Sequence, residues 1–343
     1  MGVISQAQNS RDFAVAKAEM LKSENPTEVL DVDDSKICCI GAGYVGGGIV
    51  DLLSNKHKVT VYDSLIYENS FRKDVDFIFG DIRDYKKLNP ILKKYDAVIW
   101  LAALVGDGAC SINPTLTHEI NAETVKNLTE SFKGKIVFLS TCSVYGAQEG
   151  VLNEDSSVNP LSEYASSKLI AEKYLEDSDA IIFRLGTLFG IGDQFSRIRL
   201  DLVVNILTTK ALQEKKMSVF GGDQWRPLLH VKDVANAIEN TLEKDVNGIF
   251  NLHHKNYKII DLAEKIKEKI PGVVIETTPL PFQDARNYKV SSEKLMEATG
   301  FEALIELDQG INEVHELIAS NRIKDINDPR YSNQSFLKTF GVT

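Results

Sequence analysis

Lys36-Ile37-Cys38-Cys39-Ile40-Gly41-Ala42-Gly43-Tyr44-Val45-Gly46 is the stretch from which the fold of this chain is read. An apolar run that fits a buried strand leads straight into closely spaced glycines. Ile49-Val50-Asp51-Leu52-Leu53 then follows with helical spacing, so the chain turns from strand into helix there. Glycines let a ligand approach the backbone closely, and a helix N-terminus offers unpaired N–H groups and the positive end of its dipole; such a turn suits a pyrophosphate. Alone, Gly-x-Gly-x-x-Gly fits an ordinary tight turn equally well. Here the next apolar run, Lys58-Val59-Thr60-Val61-Tyr62-Asp63, ends in an acid about 20 residues on, where a ribose hydroxyl is gripped in dinucleotide sites. Gly41, Gly43, Tyr44, Val45, Gly46 and Asp63 are therefore candidate cofactor-binding residues. No basic residue immediately follows Asp63, and a carboxylate there accepts a free 2′-hydroxyl and repels a 2′-phosphate, which selects NAD over NADP.

Further along, Ser162-Glu163-Tyr164-Ala165-Ser166-Ser167-Lys168 places a tyrosine and a lysine four apart on a predicted helix, so one face presents a phenol beside an ammonium. A tyrosine with its ordinary pKa of about 10 is a poor base at neutral pH, and an adjacent cation is expected to favour the phenolate. Such a pair also occurs by chance on solvated helices. Its position downstream of a dinucleotide-type turn gives it chemical meaning.

Together these residues resemble the extended short-chain dehydrogenase/reductase family, in its nucleotide-sugar epimerase/dehydratase branch, from about Lys36 to about Phe301. Gly80-Asp81-Ile82-Arg83-Asp84, Leu101-Ala102-Ala103, Ser140-Thr141-Cys142-Ser143-Val144-Tyr145-Gly146, Phe183-Arg184-Leu185-Gly186 and Trp225-Arg226-Pro227-Leu228-Leu229-His230-Val231-Lys232-Asp233-Val234 carry the match in order. One departure is that the family's turn runs Gly-x-x-Gly-x-x-Gly, which puts Ile40 where the first glycine is expected. The tighter form also resembles the opening of UDP-glucose 6-dehydrogenases. Those enzymes need a nucleophilic cysteine far downstream, and the last cysteine here is Cys142.

The resemblance implies a Rossmann-type α/β fold, a doubly wound parallel sheet with a smaller C-terminal substrate-binding domain. It implies catalytic Thr141, Tyr164 and Lys168, with Thr141 on the reacting sugar hydroxyl, Tyr164 carrying its proton and Lys168 holding the nicotinamide ribose. Asp81, Ile82, Leu101, Ala102 and Ala103, with Tyr164 and Lys168, join the cofactor contacts. Arg226 and Arg286 are placed on the substrate diphosphate, where a guanidinium makes bidentate contacts, and Asn205 on the nucleotide. At an isolated strand end a threonine such as Thr141 would more often satisfy backbone, and Asp81 alone would read as a helix cap.

Absences narrow the reaction. The family's 4,6-dehydratases carry an Asp-Glu pair immediately after the threonine, and its decarboxylases a glutamate at the second position; this chain has Cys142 and Ser143. A strand-end cysteine such as Cys142 is more often packing than a base. The expectation is NAD-dependent hydride transfer at C4 of a nucleotide-diphosphate sugar, foremost a 4-epimerase working through a 4-keto intermediate. The alternatives are a 4-dehydrogenase, a 4-ketoreductase, or a non-catalytic NAD-binding regulatory protein.

Composition agrees with an enzyme of ordinary globular type, at 343 residues, 43% hydrophobic and 26% charged. A net charge of −10 argues against nucleic acid as partner. Cys38, Cys39, Cys110 and Cys142 lack metal-ligand spacing and pair poorly as disulfides, so no metal and a reducing, cytoplasmic setting are expected. No apolar run reaches the roughly 20 residues that span a bilayer, and no membrane partner is expected. The family suggests a homodimer.

Residues 1–35 read as an N-terminal extension, with one short helix between Arg11 and Leu21. Residues 36–185 read as the NAD-binding domain. Residues 186–320 read as the nucleotide-sugar-binding domain, partly interleaved with the sheet through Ile249–Leu252, and 321–343 as a polar tail. Arg197 to Asn205 is expected to begin a helix.

Overall fold

Strand residues of the first half alternate between two apolar sets, and that alternation explains the architecture. The computed structural model describes residues 35–193, 195–279 and 286–341. The N-terminal extension and its expected helix lie outside them. Seven strands form one parallel sheet: β1 (Lys36–Ile40), β2 (Lys58–Asp63), β3 (Asp76–Phe79), β4 (Ala97–Trp100), β5 (Lys135–Thr141), β6 (Ala180–Leu185) and β7 (Gly248–Leu252). Their spatial order is β7-β6-β5-β4-β1-β2-β3, the doubly wound arrangement with its switch point between β1 and β4.

Ile37 and Cys39 of β1 pack on one face with Ile99, Val137 and Ile181, whereas Cys38 and Ile40 pack on the other with Val98, Trp100, Phe138 and Ile182. Successive side chains of a strand point to opposite faces, so a continuous apolar run is what a sheet covered on both sides requires. Each such side chain, fully buried, contributes about 1.5–3 kcal/mol. Cys38 and Cys39 thus face opposite layers and remain free thiols.

The expected return of Ile249–Leu252 to the main sheet is seen in β7, paired with β6 from Gly248 opposite Ile181 to Leu252 opposite Leu185. The remainder of the second half forms small sheets. Thr187–Phe189, Trp225–His230 and Lys255–Lys258 make a three-stranded one; Lys216–Phe220 pairs with Val274–Thr278, and Ala147–Leu152 with Asn287–Val290. From Ser35 onward the chain forms a single compact unit.

Two expectations need correction. Arg197 to Leu202 is not helical, and the helix there is Val203–Glu214. Arg199 reaches Asp201, holding this segment as a loop at the cleft edge. The last segment is no tail: Asn333–Phe340 is a helix whose Ser332 accepts from Ser335 N–H as its N-cap, and Asn333 and Leu337 are buried. Its polar composition hid Leu337 and Phe336, which are spaced to join the apolar layer beneath.

Candidate active site

Gly41 lies just past the end of β1 with φ +96°, and a Cβ there would stand 2.8 Å from the backbone nitrogen of Ala102. A Cβ at Gly46, the first residue of the helix Gly46–Leu53, would stand 2.6 Å from the Gly41 carbonyl oxygen. Only glycine permits this close a turn between β1, β4 and the helix. A Cβ at Gly43 would meet nothing within 4 Å, so that glycine faces open space. Asp63, at the end of β2, accepts from Ala42 N–H at 2.7 Å and from Leu65 N–H at 2.6 Å. It clamps the turn and still borders the cleft beyond it.

That cleft, about 550 Å³, is lined by every residue expected to bind cofactor, from Gly41 through Asp63, Asp81 and Ala103 to Lys168. Asp81 is held by Arg83, whose hydrogen bonds lower its carboxyl below the usual range, and its backbone carbonyl accepts from Tyr62. The opening over the turn and the acids at its rim fit the pyrophosphate and ribose of a dinucleotide.

Thr141 ends β5, and Tyr164 and Lys168 lie on the helix Glu163–Tyr174, capped by Ser162 accepting from Ala165 N–H. The Thr141 hydroxyl accepts from Ser143 N–H at 3.1 Å and lies near the Tyr164 phenol, where it favours the phenolate. Lys168 is 3% exposed, with Nζ 4.2 Å from the centre of the Phe138 ring. Burial pushes its ammonium down to about 7, opposed by Cys110 and Glu172. The expected depression of Tyr164 is absent: burial, then Cys110 and Asp107, raise the phenol above its ordinary range.

Cys142 is fully buried, its thiol pushed up by burial and donating to the Arg184 carbonyl at 3.1 Å. Ser143 Oγ contacts the Tyr288 hydroxyl at 3.3 Å. Neither supplies an acid where dehydratases carry one. The motif around them braces the site floor. Arg184 pairs with Glu172 at 2.7 Å and donates to the Tyr145 hydroxyl at 3.0 Å, and Ser140 donates to Glu172.

Arg226 and Arg286 come together: Arg226 Nη1 donates to the Arg286 carbonyl at 2.5 Å. Arg286 Nη1 lies 3.0 Å from Asp107, which accepts from the Ser162 hydroxyl at 2.7 Å, two residues before Tyr164. The two arginines are thereby tied to the helix that carries Tyr164 and Lys168. Asn205 is not brought to this place. It is 0% exposed, its amide accepting from Gly190 N–H and donating to the carbonyls of Gly190 and Arg199. With every amide group spent on backbone, it shapes a loop, and the expected nucleotide contact is corrected accordingly.

Sequence reading missed Arg197, Arg199, Tyr67 and Phe336, all lining the cleft, and Asp107. Arg197 and Arg199 alternate as residues of an extended edge do, a signal obscured by the helical reading of that stretch. Among the described residues no group of three or more His, Cys, Asp or Glu could hold a metal ion, and no helix is long and apolar enough to cross a membrane.

Similarity to known proteins agrees with the geometry. A putative UDP-glucose 4-epimerase of Methanocaldococcus jannaschii is 29% identical over 304 residues, covering 82% of this chain and 97% of that protein. UDP-glucuronic acid decarboxylase 1 of Arabidopsis thaliana is 26% identical over 291 residues, covering 79% of this chain and 66% of the relative. The structure of UDP-glucose 4-epimerase from Thermotoga maritima, 23% identical, matches the fold with a TM-score of 0.74 over 83% of this chain and 99% of that one. Residues 38–252 match the model of the NAD dependent epimerase/dehydratase family. With that match spanning the glycine turn, the Tyr164/Lys168 helix and β7, the chain belongs to the NAD dependent epimerase/dehydratase family and is an enzyme whose cofactor is NAD.

Proposed function

We propose that this enzyme transfers hydride at C4 of a nucleotide-diphosphate sugar, and that the net reaction is 4-epimerisation through a 4-keto intermediate. The observation that carries the reading is Tyr164 and Lys168 on the cleft wall, with Thr141 near the phenol and no carboxylate at 142 or 143. The epimerase and decarboxylase relatives support the substrate class.

Tyr164 takes the proton of the C4 hydroxyl and later returns it, while Thr141, beside the phenol, orients that hydroxyl. Lys168 holds the nicotinamide ribose and favours the phenolate. Bound NAD supplies the hydride acceptor and donor at the nicotinamide, and a positive charge near a phenol that burial otherwise keeps protonated. Arg226 and Arg286 hold the diphosphate, Arg286 exchanging its Asp107 partner for phosphate oxygens.

An epimerase keeps its reduced cofactor until hydride returns to the opposite face. The purified protein is therefore expected to carry NAD(H), and incubation with UDP-glucose and related nucleotide sugars in D₂O to yield a C4 epimer without deuterium at C4. Accumulation of a 4-keto sugar, stoichiometric with reduced cofactor and continuing only with an external acceptor, replaces epimerisation by net 4-oxidation.

A further inference from the structure

Ser332 caps a helix that ends at Phe340, and the segment around it is bound to the rim of the cofactor cleft at every turn. Leu200 N–H donates to the Tyr331 carbonyl at 2.9 Å, and Asn333 N–H to Asp201 at 2.9 Å. The Asn333 amide donates to the Val105 carbonyl at 2.8 Å and accepts from Arg197 Nη1 at 2.5 Å, while Arg197 Nη2 donates to the Arg330 carbonyl at 3.0 Å. Phe336 packs on Tyr67 with ring centres 4.9 Å apart, and Phe336, Phe340 and Gly341 line the same cleft as Gly41, Asp63 and Asp81.

Two polar groups lie beneath this segment without partners among the described residues. Arg197 is 7% exposed, its guanidinium 3.7 Å from the Tyr67 ring, yet its Nε has no hydrogen-bond partner among the described residues; nor has the Tyr67 hydroxyl. Buried donors without partners are rare and costly, and a ligand bringing acceptors to this side of the cleft would relieve both. Both line the cleft that holds the glycine turn, and a dinucleotide is rich in diphosphate and ribose oxygens.

We propose that residues 329–341 are part of the NAD site: the segment is a strap anchored through Asn333, and Arg197 and Tyr67 under it donate hydrogen bonds to the bound dinucleotide. The strap would hold the cofactor through turnover whichever net reaction the enzyme performs. The inference rests on the identity of the cofactor and not on epimerisation.

The test uses the full chain, stripped of nucleotide. Titration calorimetry with NAD is expected to show at least a fivefold weaker Kd for Asn333→Ala and for Arg197→Ala, and an unchanged Kd for Lys338→Ala, an exposed position on the same helix. Hydrogen exchange of the unaltered protein is expected to slow across 329–341 when NAD is added. Changes below fivefold in both cleft variants, tighter binding, an equal loss in Lys338→Ala, or exchange that NAD leaves untouched would overturn the proposal. Should the two cleft variants fail to fold, the exchange experiment alone decides.

Discussion

Two side chains on one helix face opposite demands, and each gives a measurable outcome. Tyr164 must gain and lose a proton, yet burial holds its phenol above the ordinary range. Tyr164→Phe removes the proton carrier and little binding surface, so turnover on the true substrate should fall about 10²-fold or more with NAD affinity nearly unchanged. Steady-state rates together with calorimetry check both halves, and near-normal turnover would remove Tyr164 from catalysis. Lys168 is the reverse case. Its ammonium falls from the ordinary 10.5 to about 7 because burial disfavours the charge. The unfolded chain therefore binds more protons between pH 7 and 10.5, and wild-type stability rises across that window. Lys168→Met lifts the penalty while deleting the ribose contact. The cofactor-free variant should melt higher than wild type at pH 7, the gap closing as pH approaches 10.5, and should have lost turnover. A lower melting temperature for the variant at pH 7 would mean that Lys168 is held by favourable contacts that outweigh its desolvation.

β5, β6 and the helix Glu163–Tyr174 are locked below the site by the pair of Arg184 on β6 and Glu172 on the helix, whose side chains are 5% and 2% exposed. Ser140 and Tyr145 complete the carboxylate and guanidinium partners. A buried pair contributes modest net stability, but removing one member leaves the other charge unsatisfied in low dielectric. Glu172→Ala should therefore cost about 3–5 kcal/mol in urea unfolding. Glu172→Ala with Arg184→Met should recover part of that, because it removes both charges. Equal losses in the single and double variants would show that packing, not charge, dominates here. This network also explains why Ser140, Tyr145 and Arg184 belong to one recognisable pattern: they hold the floor on which Thr141 stands. Chain order alone could place them in segments, but not reveal that the segments meet. The strands themselves were legible because fully buried parallel strands are apolar throughout.

Across the whole molecule, the groups that the proposed reaction assigns to cofactor and to substrate come from different halves of the chain. The glycine turn, Asp63 and Asp81 belong to the first half, and Arg226 and Arg286 to the second, joined to the first through Asp107 and Ser162. Local motifs disclosed the first set, because the turn and the acid at the end of β2 lie close in sequence. The second set was harder to read: Asn205 is polar and suitably spaced, yet its amide is consumed by Gly190 and Arg199, and Arg197 meets Arg330 and Asn333 only across 133 and 136 residues of chain. Such long-range pairings leave no periodic trace. The division of labour has a consequence for Arg226. Arg226 is 5% exposed and its guanidinium already donates to the carbonyls of Trp225 and Arg286, so in the proposed site it positions Arg286 as well as offering charge to a diphosphate. Arg226→Ala should weaken nucleotide-sugar binding by roughly 2 kcal/mol or more, as expected for loss of a charge-assisted contact, and leave NAD affinity within twofold. Calorimetry with UDP-glucose, UDP and NAD separates the outcomes. A similar loss for UDP and UDP-glucose places the arginine on the nucleotide diphosphate; a loss for NAD would mean that the two halves do not bind their ligands independently, and unchanged sugar-nucleotide affinity would remove Arg226 from the substrate site.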